Sequence, residues 1–158
     1  MDSCLVTWNG IDDCVSIADH PDLHFLVIIN PNSGPGKPPA PDENYARELP
    51  RFNRAPNVTT VGYVRTEYCK RTVDKVYEEV AIYGGWAKEG EAKGIYVEGI
   101  FMDEAPNHYS EHVAEYLNSL TAKIKATEGI LGKKLVSRSF LVLLNYDHRP
   151  LSCEHAAH

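Results

Sequence analysis

The chain has no stretch of about 20 apolar residues, the length that crosses a bilayer as a helix. Its opening residues, Met1, Asp2, Ser3 and Cys4, lack the basic start and apolar core of an export signal. These absences predict no membrane span and no signal peptide in this chain. Basic residues are in deficit, with 16 Lys and Arg against 22 Asp and Glu and a formal charge of -6. That balance opposes binding led by phosphate neutralisation, which excludes nucleic acid as an expected partner. Cysteine is sparse: Cys4, Cys14, Cys69 and Cys153 form no Cys-x-x-Cys pair and no Cys/His spacing suited to tetrahedral zinc. A bridge such as Cys4 to Cys14 stays open, since spacing does not select a connectivity. His108 and His112 are four apart but enclose no His-Glu-x-x-His motif, and His20 and His24 add no ligand pattern. The expectation is no metal and no cofactor. Internal repeats and low-complexity tracts are also missing.

What is present is the composition of one globular domain: 158 residues, 43% apolar and 24% charged. Apolar strand-like runs alternate with amphipathic helical stretches, which is an α/β signature. Trp8, Ile11, Val15 and Ala18 recur at helical spacing, and the stretch is stopped near His20 by Pro21. Residues 25–29 (FLVII) are continuously apolar, as in a parallel strand buried on both faces. Asp42 reads as the N-cap of a short helix with Tyr45, Leu49 and Phe52 on one side, bent by Pro50. Residues 59–64 form the next strand. Thr72 then caps a helix with Val73, Val76, Tyr77 and Val80 as its apolar stripe, ended by Gly84 and Gly85. A third strand covers residues 94–102, and a long helix runs from about Ser110 to Thr127, terminated by Gly129. Residues 129–134 (GILGKK) read as that helix terminus with a solvated basic turn, residues 140–144 as a fourth strand, and residues 146–158 as an unstructured tail.

These units predict a parallel sheet of about four to five β/α units over residues 1–145, a partial (β/α)8 barrel, because a complete one takes roughly 250 residues. In such architectures the groups just past the C-terminal ends of the strands meet at one rim, where active sites are built. Here those groups are Asn30 and Asn32, then Tyr63, Arg65 and Thr66, then Asp103 and Glu104, then Asn145. The adjacent acids are the sharpest feature, since two carboxylates in different environments suit acid and base work on a glycosidic bond. Side chains alternate along a strand, so Glu104 shares a face with Met102 and Ile100, and Asp103 with Phe101 and Gly99. Both acids reach one substrate only if the strand breaks its alternation there. Otherwise one is catalytic and the other supports it, or one caps the following turn. Arg65 either holds a substrate oxygen or pairs with Glu67 or Glu104. Trp8, Trp86 and the tyrosines are candidate sugar platforms, with core packing as the competing reading. The prolines of the loop from Asn30 to Gly36 remove backbone donors, which argues against a phosphate cradle. The sequon Asn57-Val58-Thr59 is compatible with export.

Five ordered motifs, FLVIINPNSGPG (25–36), DENY (42–45), NVTTVGYVRT (57–66), GW (85–86) and GIFMDEAPN (99–107), resemble the spherulin-4-like, or spherulation-specific family 4, proteins of fungi and slime moulds. The similarity covers roughly residues 8–127. It implies a (β/α)8-barrel glycoside hydrolase, secreted or at the cell surface, that cleaves a fungal exopolysaccharide rich in α-1,4-linked N-acetylgalactosamine. The family's acidic pair falls on Asp103 and Glu104, with Glu104 as proton donor, and its rim positions on Asn30, Tyr63 and Arg65. Asn32 and Asn145 complete the substrate-contacting set. The resemblance also implies a first strand and export signal ahead of Trp8, and an Asn-Pro-Gly-Thr-like continuation where this chain reads Asn145-Tyr146-Asp147-His148-Arg149. Three further strands, one with another active-site aspartate, are implied as well, so the chain is expected to be truncated at both ends. Two functional classes follow: a glycoside hydrolase, or a non-catalytic carbohydrate-binding or cell-surface structural protein. Asp147 is the one acid outside the pair near the rim. An inactive remnant of low stability is a third outcome, because an unclosed barrel leaves apolar edges exposed. A polysaccharide is the expected partner, and oligomeric state is not encoded in these patterns.

Overall fold

A computed structural model describes residues 3–8, 17 and 20–140 of the chain. Five strands, β1 (Ser3–Trp8), β2 (His24–Ile29), β3 (Val58–Arg65), β4 (Val97–Ala105) and β5 (Ile130–Phe140), form one sheet in sequential order. Every neighbouring pair is parallel. Helices α1 (Glu43–Arg54), α2 (Val73–Gly90) and α3 (Glu111–Ala126) carry the chain from β2 to β3, β3 to β4 and β4 to β5. A strand order without reversal is that of a barrel wall, whereas doubly wound sheets reverse at a switch point. The fold is α/β, a partial (β/α)8-type barrel. Among the described residues no helix is long and apolar enough to cross a membrane.

Local chemistry sets the helix starts. Asp42 Oδ1 accepts from the Asn44 and Tyr45 amides at 3.0 and 3.3 Å, Thr72 Oγ1 from Lys75 at 3.4 Å, and Ser110 Oγ from Val113 at 3.1 Å. Each such cap contributes about 1 kcal/mol. Pro50 lies inside α1, which nevertheless continues to Arg54.

The sheet has two different faces. Phe25, Val27 and Ile29 of β2, Val64 of β3 and Ile100 and Met102 of β4 pack under the helices against Val76, Val80, Tyr83, Trp86, Leu120 and Ile124. On the opposite face Ile28, Val61 and Phe101 form a separate cluster, with Leu26 and Tyr63 against it. In a barrel wall that second face is the interior, and it leads directly to the rim.

Four expectations are corrected. Trp8 ends a strand, not a helical stretch: residues 3–8 (SCLVTW) contain β-branched and aromatic residues that favour extended backbone, and they pair with β2 from Ser3 to His24 through Trp8 to Ile29. The strand expected ahead of Trp8 is therefore β1 itself. Gly84 and Gly85 do not end α2; a Cβ at Gly84 would lie 2.6 Å from the Glu128 carbonyl oxygen, so that glycine permits close packing against the turn after α3. Residues 130–134 belong to β5 and not to a basic turn. Ile130 pairs with Val97 and Leu135 with Gly99, and the residues between them bulge out of the ladder, with Gly132 and Lys134 at φ 60° and 48°. Most of the strand expected at residues 140–144, the tail at 146–158 and the remainder of the opening helical stretch lie outside the described residues, apart from Ile17 and the terminal Phe140 of β5.

The sequon side chain is structurally engaged. Asn57 Nδ2 donates to the His20 and Leu23 carbonyls at 3.1 Å each, which ties the turn before β2 to the start of β3.

Candidate functional site

The β3–β4 register places Tyr63 opposite Phe101, Val64 opposite Met102 and Arg65 opposite Asp103. Alternation then gives Tyr63, Arg65, Phe101 and Asp103 one face, the interior face of the sheet. Tyr63 stacks on Phe101 with ring centroids 6.4 Å apart, and its hydroxyl donates to Asp103 Oδ2 at 2.7 Å. Burial, followed by the hydrogen bond to Asp103 and the charge of that carboxylate, raises the Tyr63 pKa well above the usual phenol range. The phenol therefore stays protonated and remains a donor. Asp103 Oδ1 accepts from the Glu104 amide at 2.8 Å, so both carboxylate oxygens are engaged.

Glu104 would point under the helices, beside Met102 and Ile100, if β4 kept its alternation. It does not. Met102 pairs with Arg138 and Ala105 with Phe140, so Asp103 and Glu104 occupy a span that β5 fills with Ser139 alone. This is a β-bulge, a device that re-aims side chains next to functional sites. Glu104 accommodates the extra residue at φ 52°, in the left-handed region that a non-glycine residue enters at a cost. Its Oε2 lies 3.9 Å from Arg65 Nε, and its side chain is 34% exposed. Arg65 in turn donates to Glu67 at 2.8 Å. The bulge thus breaks the alternation of β4 at its two adjacent acids, and Glu104 comes near a residue of the face that holds Asp103.

The segment after β3 secures the bulge. Thr66, fully buried, has its hydroxyl 3.1 Å from the Asp103 carbonyl and 2.8 Å from that of Glu104. The Thr66 amide donates to the Asp103 carbonyl at 3.0 Å, and the Tyr68 amide to that of Glu104 at 2.8 Å. Glu67, Tyr68 and Cys69 all hold positive φ, at 51°, 56° and 65°, curling the segment over the end of β4. Arg71 anchors it to α2, donating to the Arg65 carbonyl at 2.7 Å and pairing with Glu79 at 2.6 Å. That ion pair is partly buried, and the Glu79 hydrogen bond raises the Arg71 pKa further.

Asn30 and Asn32 stand at the end of β2. Asn30 Oδ1 accepts from the Gly34 amide at 3.0 Å, so this side chain folds its own loop. The Asn32 amide donates to the Gly34 carbonyl at 3.2 Å, and the Asn32 side chain is exposed. Asn145 and Asp147 lie outside the described residues. Trp86 is 2% exposed and meets Tyr83 edge-on at 4.7 Å, so it is core and not a sugar platform.

Tyr83 is a positioning group that the sequence reading did not single out. Its hydroxyl donates toward the Ile29 and Tyr63 carbonyls at 2.8 and 3.1 Å and accepts from the Tyr63 amide at 3.1 Å. It thereby ties the C-terminal ends of β2 and β3 together below the rim. A Cβ at Gly62 would lie 2.8 Å from this ring, so glycine there makes the insertion possible. The stripe of Val76 and Val80, extended by one turn, reaches Tyr83, and that periodicity is the signal that identifies it.

The model of spherulation-specific family 4 matches residues 6–145. Spherulin-4 of Physarum polycephalum is 32% identical over 123 residues, covering 78% of this chain and 34% of the relative. A crystal structure of Aspergillus clavatus Sph3 in complex with GalNAc superposes with a TM-score of 0.73 at 39% identity, covering 77% of this chain and 48% of Sph3. The chain thus spans about a third of the one relative and about half of the other. Matched along most of its length by the family model and by both relatives, the chain belongs to spherulation-specific family 4.

Proposed function

We propose that this chain carries the acid pair of a glycoside hydrolase that acts, outside the cell or at its surface, on a polysaccharide containing N-acetylgalactosamine. Glu104 is the proton donor to the glycosidic oxygen. Asp103 is its partner, and Asn30, Asn32, Tyr63, Arg65 and Asn145 contact or shape the substrate site. The observation that carries this reading is the bulge at Asp103 and Glu104, which breaks the alternation of β4 at its two acids, with Glu104 3.9 Å from Arg65 of the interior face. The GalNAc bound by Sph3 supports the sugar class.

The environments of the two carboxylates divide the labour. Asp103 is fixed through both oxygens by the Tyr63 hydroxyl and the Glu104 amide, which suits a stationary negative charge facing the positive charge that develops on the sugar ring. Glu104, one-third exposed and approached by Arg65 at 3.9 Å, has the access to solvent and substrate that proton exchange requires. Arg65 is held by Glu67 in a position to orient the Glu104 carboxylate or a substrate oxygen.

The test is release of reducing ends from an N-acetylgalactosamine polymer by the chain and by its Glu104→Gln variant. Release by the wild type that Glu104→Gln loses by a factor of 100 or more, on the order expected for a general acid, supports the assignment. An unchanged rate in Glu104→Gln overturns it. Retention of the polymer without any release supports the carbohydrate-binding class instead.

A further inference from the structure

The large hydrophobic side chains exposed among the described residues are Tyr68, Tyr109 and Leu135. Both tyrosines fall in the rim loops that follow β3 and β4, the strands that supply Tyr63, Arg65, Asp103 and Glu104. Tyr68 is 48% exposed and Tyr109 82% exposed, while Tyr45, Tyr83 and Tyr116 are buried in the core. Tyr68 is close to the acids by construction, because its amide is bonded to the Glu104 carbonyl. Tyr109 stands five residues beyond Glu104, just before the Ser110 cap of α3.

The backbone adds an independent observation. Tyr68 sits at φ 56° between two other left-handed residues, a conformation that is unfavourable for a bulky side chain. Nearly half of its surface nevertheless faces water and is open to a ligand. An aromatic ring held in this way beside a carboxylate rim has the form of a ligand contact. A galactose-configured ring gathers the hydrogens of C3, C4 and C5 on one face, and such a patch of polarised C–H groups suits the negative face of an aromatic ring.

We infer that Tyr68 and Tyr109 are stacking platforms for sugar units on either side of the acid pair, so that the rim grips an oligosaccharide and not a single residue. This inference rests on the proposed glycan-binding rim and names subsites within it. Both residues belong to the loops that leave the C-terminal ends of β3 and β4, the end of the sheet at which Asp103 and Glu104 stand, so a polymer laid across the acids passes over these loops. The hydroxyl of each tyrosine adds a polar contact at the ring edge, as amphipathic aromatic side chains do at wet interfaces.

The experiment titrates the chain and its Tyr68→Ala and Tyr109→Ala variants with GalNAc and with an N-acetylgalactosamine hexamer. Both substitutions keep the backbone amide, and Tyr109→Trp serves as the variant that retains a platform. Each alanine variant is expected to lose about five- to tenfold in hexamer affinity while GalNAc affinity changes less than about twofold. Tyr109→Trp is expected to restore the hexamer affinity. Equal losses for monomer and hexamer, or unchanged hexamer binding, overturn the platform assignment while leaving the glycan rim intact. A wild-type chain that binds neither sugar overturns both readings.

Discussion

The Tyr63 hydroxyl reaches from β3 to β4 and donates to Asp103 Oδ2 at 2.7 Å, from a residue two register positions before the Arg65–Asp103 pair. This bond fixes the carboxylate on the interior face, and its donor stays protonated because burial and the neighbouring charge raise its pKa. Hydrogen bonds to an ionised group contribute about 1.5–3 kcal/mol. Tyr63→Phe is therefore expected to lower the rate of polymer cleavage by roughly 10- to 100-fold. The same bond contributes to stability, so a melting temperature lower by several degrees accompanies the loss, although the ring keeps its stack on Phe101. A variant with full activity contradicts the role given to this bond.

Thr66 tests what secures the bulge. Its buried hydroxyl serves the Asp103 and Glu104 carbonyls, so Thr66→Val, which conserves shape, leaves those acceptors with only the amides of Thr66 and Tyr68. A loss of about 1–3 kcal/mol in denaturant unfolding is expected, and Thr66→Ser recovers most of it. Equal stability of the Val and Ser variants would remove the hydroxyl from the account.

Glu104 couples stability to its proposed chemistry. At φ 52° a glycine is relieved of the steric cost that glutamate carries, and the ion pair it forfeits is long and solvated. Glu104→Gly is expected to be as stable as the wild type or more stable by about 0.5–1 kcal/mol, and to have no hydrolase activity. Chemical denaturation gives the comparison. A clear destabilisation would mean that the side chain anchors the bulge and that the conformation is not strained.

Alkaline pH probes the buried phenols. Burial raises Tyr45 and Tyr116 to about 12 and raises Tyr83 strongly. Each of these groups keeps its proton in the folded chain above the pH near 10 at which the unfolded chain releases it. Between those values the folded state binds more protons, so stability is fully present below about pH 10 and falls as pH rises toward 12. Phenolate absorbance from these residues should appear together with loss of circular dichroism. Full titration of all nine tyrosines in a folded chain near pH 10 would contradict this.

The helix starts were legible in the sequence because Asp42, Thr72 and Ser110 act through local hydrogen bonds to amides two or three residues on. Features set by distant partners were not. Gly84 has the composition of a terminator, yet its role depends on the Glu128 carbonyl packed against it. The opening of β5 was hidden because the excursion between Ile130 and Leu135 breaks the two-residue alternation that marks a strand. At the candidate site, the strand end and its acids were visible, and alternation defined what two adjacent carboxylates would require. Whether β4 meets that requirement depends on how it pairs with β5 and on the grip of Thr66 and Tyr68, and neither is written in the residues near Glu104.

The central claim is that Asp103 and Glu104 serve one face of the sheet. Carboxyl-carbon chemical shifts of both residues, followed by NMR during titration with an N-acetylgalactosamine oligosaccharide, test it most directly. Both resonances are predicted to move along the same saturation curve. Movement of Asp103 alone, with Glu104 unaffected at saturation, would contradict the account and return Glu104 to a structural role in the turn.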